Sequence, residues 1–565
     1  MITPNIVRIN LASREITREV LDANHPLKDY AGRALTSKII ADEVPPQCDA
    51  LGPENKFIIA CGFLTGTPAP NSGRGSIGGK SPLTGGIKES NVGGRAPAYL
   101  ARNDIRGLIF ENCSPDWIIL KVAEGTVEIL DGTHYAGLNN YALAERILED
   151  FGTRAGAITI GMGGELLFAN SSVACLDMEG FPSRHAGRGG LGAVMGSKKI
   201  KAVIVLPPTK SLIEYSDRPT FKSIAGPWFK DLNQATKHAK HVFGTPGAVT
   251  YMNELHGLPT QNYRRGQYKD VDMISGEAVH DLILKNKGKF GLACSPGCAI
   301  QCSNMIMDTD GKHVTSSLEY ETIGLLGSNL MNNDILKISE MDHLCDDLGI
   351  DTIETGSCLG IFMEAGKIAW GDADKCIELI KGIYTNNPES IMLGLGVYEL
   401  GKKLNVDRVP HVKRQAFPSY EPRALKAPAI TFLTGPMGAD HTAGDVDGDQ
   451  AYNPEGKLVL SKDRQIYTYM VDSMGICYFV GPSLEKTTFM AQLMTARYGD
   501  MGTKTPEEWV MWARACMVME RDFNTKAGLA AIDILPKFMR DENLEEIDYK
   551  WDFAQPEIDT YWDDF

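Results

Sequence analysis

No stretch of this chain reaches the roughly 18 consecutive apolar residues that a membrane-spanning helix needs, so no span is expected. Nor does a basic segment leading into an apolar core open it between Met1 and Asn10, and a cytoplasmic location is expected. Positive charge is in deficit. The chain has 57 Lys and Arg against 72 Asp and Glu, a net charge of −15. That excludes a nucleic-acid partner, because a phosphate backbone needs a basic surface. Cysteine is sparse for a disulfide framework, with 12 in 565 residues and a reducing compartment implied. Most are scattered and read as small core hydrophobes.

What is present suits a globular chain of three or four domains. Short β-branched runs recur up to about residue 208: Phe57–Ala60, Gly107–Phe110, Trp117–Leu120, Ala157–Ile160 and Ala202–Leu206. Pro207-Pro208 then punctuates, and the pattern turns helical. Ile335, Ile338, Met341, Leu344 and Leu348 make one helix face. Asn332 or Asn333 is expected to cap its start, with Gly349 as its left-handed stop. Asp351-Thr352-Ile353-Glu354 reads as a capping box. A Pro- and Lys/Arg-rich stretch from Val409 to Pro436 gives a second boundary near 415. The expected division is a β-rich domain over 1–208 and two mainly helical domains over 209–415 and 416–565.

Three constellations carry chemistry. Cys294, Cys298 and Cys302 lie within nine residues, bent by Pro296 and Gly297. Three thiolates from one tight segment and a fourth from afar suit a [4Fe–4S] cluster, and Cys477 is the candidate fourth ligand. A structural zinc site is the rival reading, although no second Cys hook accompanies the first. Two glycine stretches carry arginine, one from Asn71 through Arg74 and Lys80 to Gly94, the other from Arg184 through Arg188 to Lys198. Bare amides and guanidinium forks suit phosphate oxygens. A dinucleotide fingerprint over 187–192 fails, because the ribose-binding acid is missing. Glu319, Glu321 and the Asp440-His441 pair are candidate proton-transfer groups. Glu340 and His343, one helical turn apart, can face one metal or an exposed helix surface. Finally, Asp-x-x-Gly-Ile occurs twice, at Asp346–Asp351 and Asp472–Cys477. Each copy alone reads as a helix C-cap.

Together these segments resemble the aldehyde:ferredoxin oxidoreductase family of tungsten or molybdenum bis-pyranopterin enzymes. The resemblance rests on Gly79–Gly85, Glu89–Gly94, Ala186–Lys198, Glu319–Thr322, the paired Asp-x-x-Gly motifs and the cysteine triplet with Cys477, all in the family's order. It implies an α+β fold in which an N-terminal β-sheet domain forms a base for the bis-pterin cofactor and two mainly α-helical domains cover it. By matching motifs, Arg74, Asn91, Gly93, Arg184, Arg188 and Gly189 contact the pterins or their phosphates, which a magnesium ion bridges. Asp346, Asp351, Asp472 and Ile476 line the pterin rings. Cys294, Cys298, Cys302 and Cys477 ligate the cluster, although the first two stand three residues apart where the family commonly has two. Glu321 matches the family's carboxylate near the metal, with Glu319 as fallback, and His441 matches its histidine. Glu340 and His343 match an element that in some relatives holds a metal at a dimer interface.

The implied activity is oxidation of an aldehyde to a carboxylic acid, with electrons passing through the cluster to ferredoxin or an iron–sulfur partner subunit. A homodimer or a subunit of a larger complex is expected. Two alternatives stand beside it. One is the catalytic subunit of a low-potential reductase acting on an aromatic acyl-CoA thioester. The other is a non-catalytic iron–sulfur electron-transfer protein without the pterin.

Overall fold

In the computed structural model, residues 2–441, 448, 451–481, 483–529, 533–545, 547–563 and 565 are described. Twelve strands of the N-terminal part form two six-stranded sheets. The first contains β1 (Asn5–Asn10), β2 (Glu15–Val20), β3 (Phe57–Cys61), β4 (Gly75–Lys80), β5 (Ile87–Val92) and β6 (Ile105–Glu111), in the order β2-β1-β6-β3-β4-β5. The second contains β7 (Ile118–Ala123), β8 (Thr126–Asp131), β9 (Gly156–Thr159), β10 (Val173–Cys175), β11 (Arg184–Ala186) and β12 (Ile200–Val205), in the order β8-β7-β12-β9-β10-β11. The two orders are the same with six added to each number. In each sheet one pair is parallel, β1 with β6 and β7 with β12, and the other pairs are antiparallel. The N-terminal part is therefore one topology written twice.

Alternation explains how the sheets stack. Val7, Ile59 and Leu108 share a core with Leu120, Ile158 and Val203 of the other sheet. Their neighbours Ile6, Ile58 and Ile109 face the other way, against Leu35 and Ile39 of the helix Gly32–Glu43. Ile119, Ala157 and Ile204 meet Leu143 and Ile147 of the helix Asn140–Phe151 in the same manner. Strands buried on both faces read as continuous apolar runs, which is why these were legible.

The glycine-rich stretch from Gly75 to Val92 reads as loop by composition but forms the hairpin β4–β5. Its glycines are there for close packing. A Cβ on Gly78 would stand 2.5 Å from Thr36 Cβ, and one on Gly75 would stand 2.9 Å from Pro97. The mainly helical middle also carries a small sheet, β13 (Lys289–Leu292), β14 (Ser303–Met307) and β15 (His313–Thr315), which frames the cysteine triplet.

The helix Ile335–Leu348 starts one residue later than expected. Asp334 caps it, accepting from the Leu336 and Lys337 amides, while Asn332 accepts from the Asp334 amide. Gly349 stops it at φ 69°. Asp351 caps the next helix, Thr352–Glu364, but no capping box closes. Glu354 instead turns inward to accept the Val397 and Ala416 amides at 2.7 and 2.9 Å. No helix among the described residues is long and apolar enough to cross a membrane. Near the end of the chain, Tyr561 and Trp562 are both buried and belong to the core.

Candidate active site

The two Asp-x-x-Gly turns dock on the two sheets in equivalent ways. The helix Lys457–Met474 ends at Gly475, φ 74°, with the Gly475 amide on Asp472 O and the Ile476 amide on Val471 O. The first copy repeats this, Gly349 on Asp346 O and Ile350 on Cys345 O. Both are the paired-bond stop that a left-handed glycine permits. The loop after β3 receives the second copy: Phe63 and Leu64 amides donate to Ser473 and Met474 carbonyls, and Arg74 N to Gly475 O. The loop after β9 receives the first: Ser172 N donates to Gly349 O, and Asp351 N to Asn170 O. Approach is tight on both sides. A Cβ on Gly62 would lie 2.1 Å from Gly475 N, and one on Gly161 2.5 Å from Leu348 O. Two equivalent half-sites result, in which Cys477 of one copy occupies the place of Asp351 in the other.

The cysteines come together through Asn71. Its amide donates to Gly297 O, its side-chain oxygen accepts the Ala299 amide at 2.7 Å, and its carbonyl accepts the Cys477 amide at 3.1 Å. Cys294 O accepts the Gly94 amide at 2.9 Å. A Cβ on Gly93 would stand 3.4 Å from both Cys294 O and an Arg74 nitrogen. The Cys294 thiol is lowered to about 5, first by the hydrogen bond with Cys298, then by Arg74 and Arg184. Burial pushes the Cys302 thiol up, as does the neighbouring Glu319, with Cys294 and Cys477 adding to it. Cys477 is also raised by burial, against Arg74. Arg74 thus lies between the thiols and Asp472, and its Nε donates to Asn91 Oδ1.

Around this centre the carboxylates divide by role. Asp346 is 3.0 Å from His185 Nε2, and Asp472 3.6 Å from Arg33. Burial raises Asp472 to about 7 against the pull of Arg33. Arg188 spends its donors on protein: Asp351 at 3.1 Å, Ala416 O at 2.7 Å, and Ala439 O. Ile476 is wholly buried, and Gly189, φ 85°, passes so close to Lys88 that a Cβ would meet its chain at 2.6 Å. Glu319 and Glu321 serve different neighbours. Glu319 accepts from Ser317, Thr245 and Arg184, on the cysteine side. Glu321 is buried, one oxygen accepting the Ser419 amide at 2.7 Å and the other 3.9 Å from His441 Nε2. Burial raises the Glu321 carboxyl above its usual range, against His441 and the Ser419 amide. His441 Nδ1 is 3.8 Å from Asp440.

Glu340 and His343 do not meet the same partner. Glu340 pairs with Lys381 at 2.6 Å, and His343 stacks on Tyr141 with ring centroids 4.2 Å apart. Sequence reasoning gave no role to Asn71, Lys88, Glu89, Arg33 or Ser419. Glu89, inside a quoted motif, is buried on β5, and burial with Asp472 raises it to about 8. An acid inside an otherwise glycine-rich hairpin was the available signal.

Comparison with known proteins gives the family and the fold. Residues 6–207 match the family model for the N-terminal domain of aldehyde ferredoxin oxidoreductase, and residues 227–565 match that for its domains 2 and 3. The chain is 30% identical over 572 residues to the tungsten-containing aldehyde ferredoxin oxidoreductase of Pyrococcus furiosus, covering 96% of this chain and 92% of that protein. It is 29% identical over 571 residues to the protein of the same name from Thermococcus kodakarensis, with the same coverage. The aliphatic sulfonate oxidoreductase WOR-like subunit of P. furiosus is 26% identical, covering 88% of this chain and 82% of that one. Among solved structures, the active-site complex BamBC of benzoyl-coenzyme A reductase superposes with a TM-score of 0.82 at 18% identity, covering 100% of this chain and 94% of that chain, a likeness of fold.

Proposed function

The chain is an oxidoreductase of the aldehyde ferredoxin oxidoreductase family, and on that premise we propose that it oxidises an aldehyde to a carboxylic acid with water. The observation that carries this is the Glu321–His441 couple: a buried carboxyl with one oxygen held by Ser419 N–H and the other, without a hydrogen-bond partner among the described residues, facing the imidazole. A buried acid above its usual range is poised as a general base. Glu321 takes a proton from water as water adds to the carbonyl carbon, and His441 hydrogen-bonds the aldehyde oxygen. The overall conversion consumes one water and releases two protons and two electrons. When bound, a tungsten or molybdenum bis-pyranopterin would polarise the carbonyl as a Lewis acid and take the electron pair, and a [4Fe–4S] cluster would pass electrons singly to ferredoxin or a partner subunit.

The residues fit such a group. Two equivalent half-sites suit a ligand with two like halves. Arg184 Nε and Asn91 Nδ2 are buried without hydrogen-bond partners among the described residues, and buried donors demand acceptors such as phosphate or pterin oxygens. Asp346, Asp351 and Asp472 can accept from pterin ring N–H groups, with Arg188 fixing Asp351 and Ile476 walling one face. Gly93 and Gly189 let the chain approach closely, and a magnesium ion would offset phosphate charge there. Among the described residues no three His, Cys, Asp or Glu side chains stand ready to chelate one ion. For Cys294, Cys298, Cys302 and Cys477 the cube is preferred to zinc because no second Cys hook accompanies the first. An interface metal at Glu340 and His343 would first have to displace Lys381 from Glu340.

The test is Glu321→Gln in anaerobically purified enzyme. Viologen-linked aldehyde oxidation should fall by about 100-fold or more, while tungsten or molybdenum and iron per chain stay at wild-type levels. In the wild type, kcat/KM should rise with pH through a value above the ordinary carboxyl 4.5, since the base works ionised. Full activity in the variant removes Glu321 from the role. Reduction of an aromatic acyl thioester with no aldehyde turnover would replace the substrate assignment.

A further inference from the structure

Glu319 takes no part in the proposed aldehyde chemistry, and it does not serve its own helix. It stands at the N-cap of the helix Tyr320–Leu326, yet its carboxylate makes no capping bond there. Its hydrogen bonds run the other way. Oε1 accepts from Ser317 Oγ at 2.8 Å and from Arg184 Nη1 at 3.4 Å, and Oε2 accepts from Thr245 Oγ1. Thr245 is itself fixed, its Oγ1 accepting the Tyr320 amide at 3.0 Å.

These partners belong to the wall of the cysteine nest. Gly244, next to Thr245, packs so close that a Cβ there would stand 2.6 Å from Cys302 O and 3.6 Å from Asn304 Nδ2. Asn304, two residues beyond Cys302, clamps the residue before Glu319 with both ends of its amide. Nδ2 donates to Leu318 O and Oδ1 accepts the Leu318 amide, each at 2.9 Å. Arg184 arrives from the second sheet. It pairs with Cys175 across β10–β11, a Cβ on Gly94 would meet Cys175 Sγ at 2.5 Å, and the Gly94 amide donates to Cys294 O. The Arg184–Glu319 pair thus joins the N-terminal part to the cysteine segment. The charges around the thiols have two signs. Arg74 and Arg184 act on Cys294, and Arg74 and Lys240 on Cys477. Beyond burial, Glu319 is the strongest electrostatic influence on Cys302, ahead of Cys294, Cys477 and Arg184.

We propose that Glu319 is a positioning residue for electron exit: it holds Arg184 at the cysteine nest and keeps the cluster on Cys294, Cys298, Cys302 and Cys477 at a low reduction potential. It rests on the reading that these four thiols carry a [4Fe–4S] cluster. Reduction adds one negative charge, so a carboxylate nearby disfavours the extra electron, and net charge is among the quantities that set cluster potentials. The same carboxylate engages a guanidinium that favours reduction, so both effects have one sign. A low potential makes the reduced cluster a strong donor, and electrons taken from substrate are driven outward to an external acceptor. The Glu319 side chain is 35% exposed, and water screening limits the effect to about a tenfold change in the reduced-to-oxidised ratio.

The test is Glu319→Gln, which keeps the shape and removes the charge, in anaerobically purified holoenzyme without aldehyde. Iron per chain is measured beside a dithionite titration of the cluster followed by electron paramagnetic resonance. At a fixed poise the reduced-to-oxidised ratio should rise about tenfold, a positive shift of about 59 mV for one electron. Glu319→Asp keeps the charge and should stay near wild type. Glu389→Gln removes an exposed carboxylate elsewhere and should shift nothing. The potential is read only on molecules that hold the cluster, so partial loss of iron leaves the comparison valid. A wild-type potential in Glu319→Gln overturns the proposal, as does an equal shift in Glu319→Asp or Glu389→Gln. Complete loss of iron in Glu319→Gln also overturns it, by making the residue part of cluster assembly. A wild-type enzyme without iron removes the cluster reading and this proposal together, whereas the other failures leave that reading standing. No aldehyde enters the measurement, so the substrate assignment is judged separately.

Discussion

Asn71 joins both cysteine-bearing segments with its own amide, carbonyl and side chain, and it does so at φ 55°, where asparagine is among the few side chains that sit readily. Nothing in a lone Asn between Pro70 and Ser72 marks it as a hub. The grouping of the first three thiols was legible from spacing, because three cysteines within nine residues stay close whatever the fold. Glu89 shows the opposite case, a group whose state is decided by what surrounds it. Burial first, then Asp472, raises it from 4.5 to about 8. The folded chain therefore keeps a proton that the unfolded chain releases above 4.5, so this group's contribution to stability is lost as pH rises from 4.5 toward 8. Glu89→Gln cannot ionise. Urea unfolding at pH 8 should find it more stable than wild type by ~4 kcal/mol, an advantage that shrinks as pH falls and is gone below about pH 4. A difference independent of pH would mean that Glu89 is ionised throughout.

At the scale of elements, the Asp-x-x-Gly-Ile motif is a helix stop in both copies, as each reads in isolation. What isolation hides is that both stops are docked by backbone bonds on equivalent loops. Gly475 makes the point testable, because its φ of 74° is matched by Gly297 at 82° while their surroundings differ. A Cβ on Gly475 would meet Thr65 Oγ1 at 2.0 Å; one on Gly297 meets nothing within 4 Å. Gly297→Ala should cost only the left-handed strain, ~1–2 kcal/mol. Gly475→Ala should cost more than ~2 kcal/mol and lower iron retention, because Cys477 lies two residues on. Equal losses in the two variants, measured by chemical denaturation and iron content, would show that the docking adds nothing. The expected capping box failed for a related reason. Glu354 has the right spacing, but the Val397 and Ala416 amides and Arg188 draw it into the interior.

Across the whole molecule, the N-terminal part is tied to the last long helix by a buried ion pair. Arg33 donates to Glu520 at 2.8 and 3.1 Å, Ser37 adds a third bond at 2.7 Å, and Asp472 stands at 3.6 Å. Residues 487 positions apart thus fix the second Asp-x-x-Gly turn against the first sheet. Breaking a buried pair leaves its partner uncompensated. Arg33→Met should destabilise the chain by ~3–5 kcal/mol, and adding Glu520→Gln should restore part of that loss. A double variant no better than the single one would place the cost in packing against the Tyr469 ring, 4.5 Å from the guanidinium. The duplicated sheet topology belongs to this scale too. Its strands are three to seven residues long and differ in composition, so the repeat exists in connectivity and leaves no period in the sequence.

The sequence alone determined what short-range rules govern: apolar runs for strands buried on both faces, helix stops at glycine, the cysteine triplet, and enough motif order to identify the family and its α+β architecture. Only the tertiary structure decided which groups share a neighbourhood. It brought Cys477 to the triplet through Asn71, turned Glu319 and Glu321 to different partners, and spent Arg188 on Asp351. Local patterns are set by chemistry within a few residues, whereas ionisation and pairing depend on burial and charge contributed by residues hundreds of positions away.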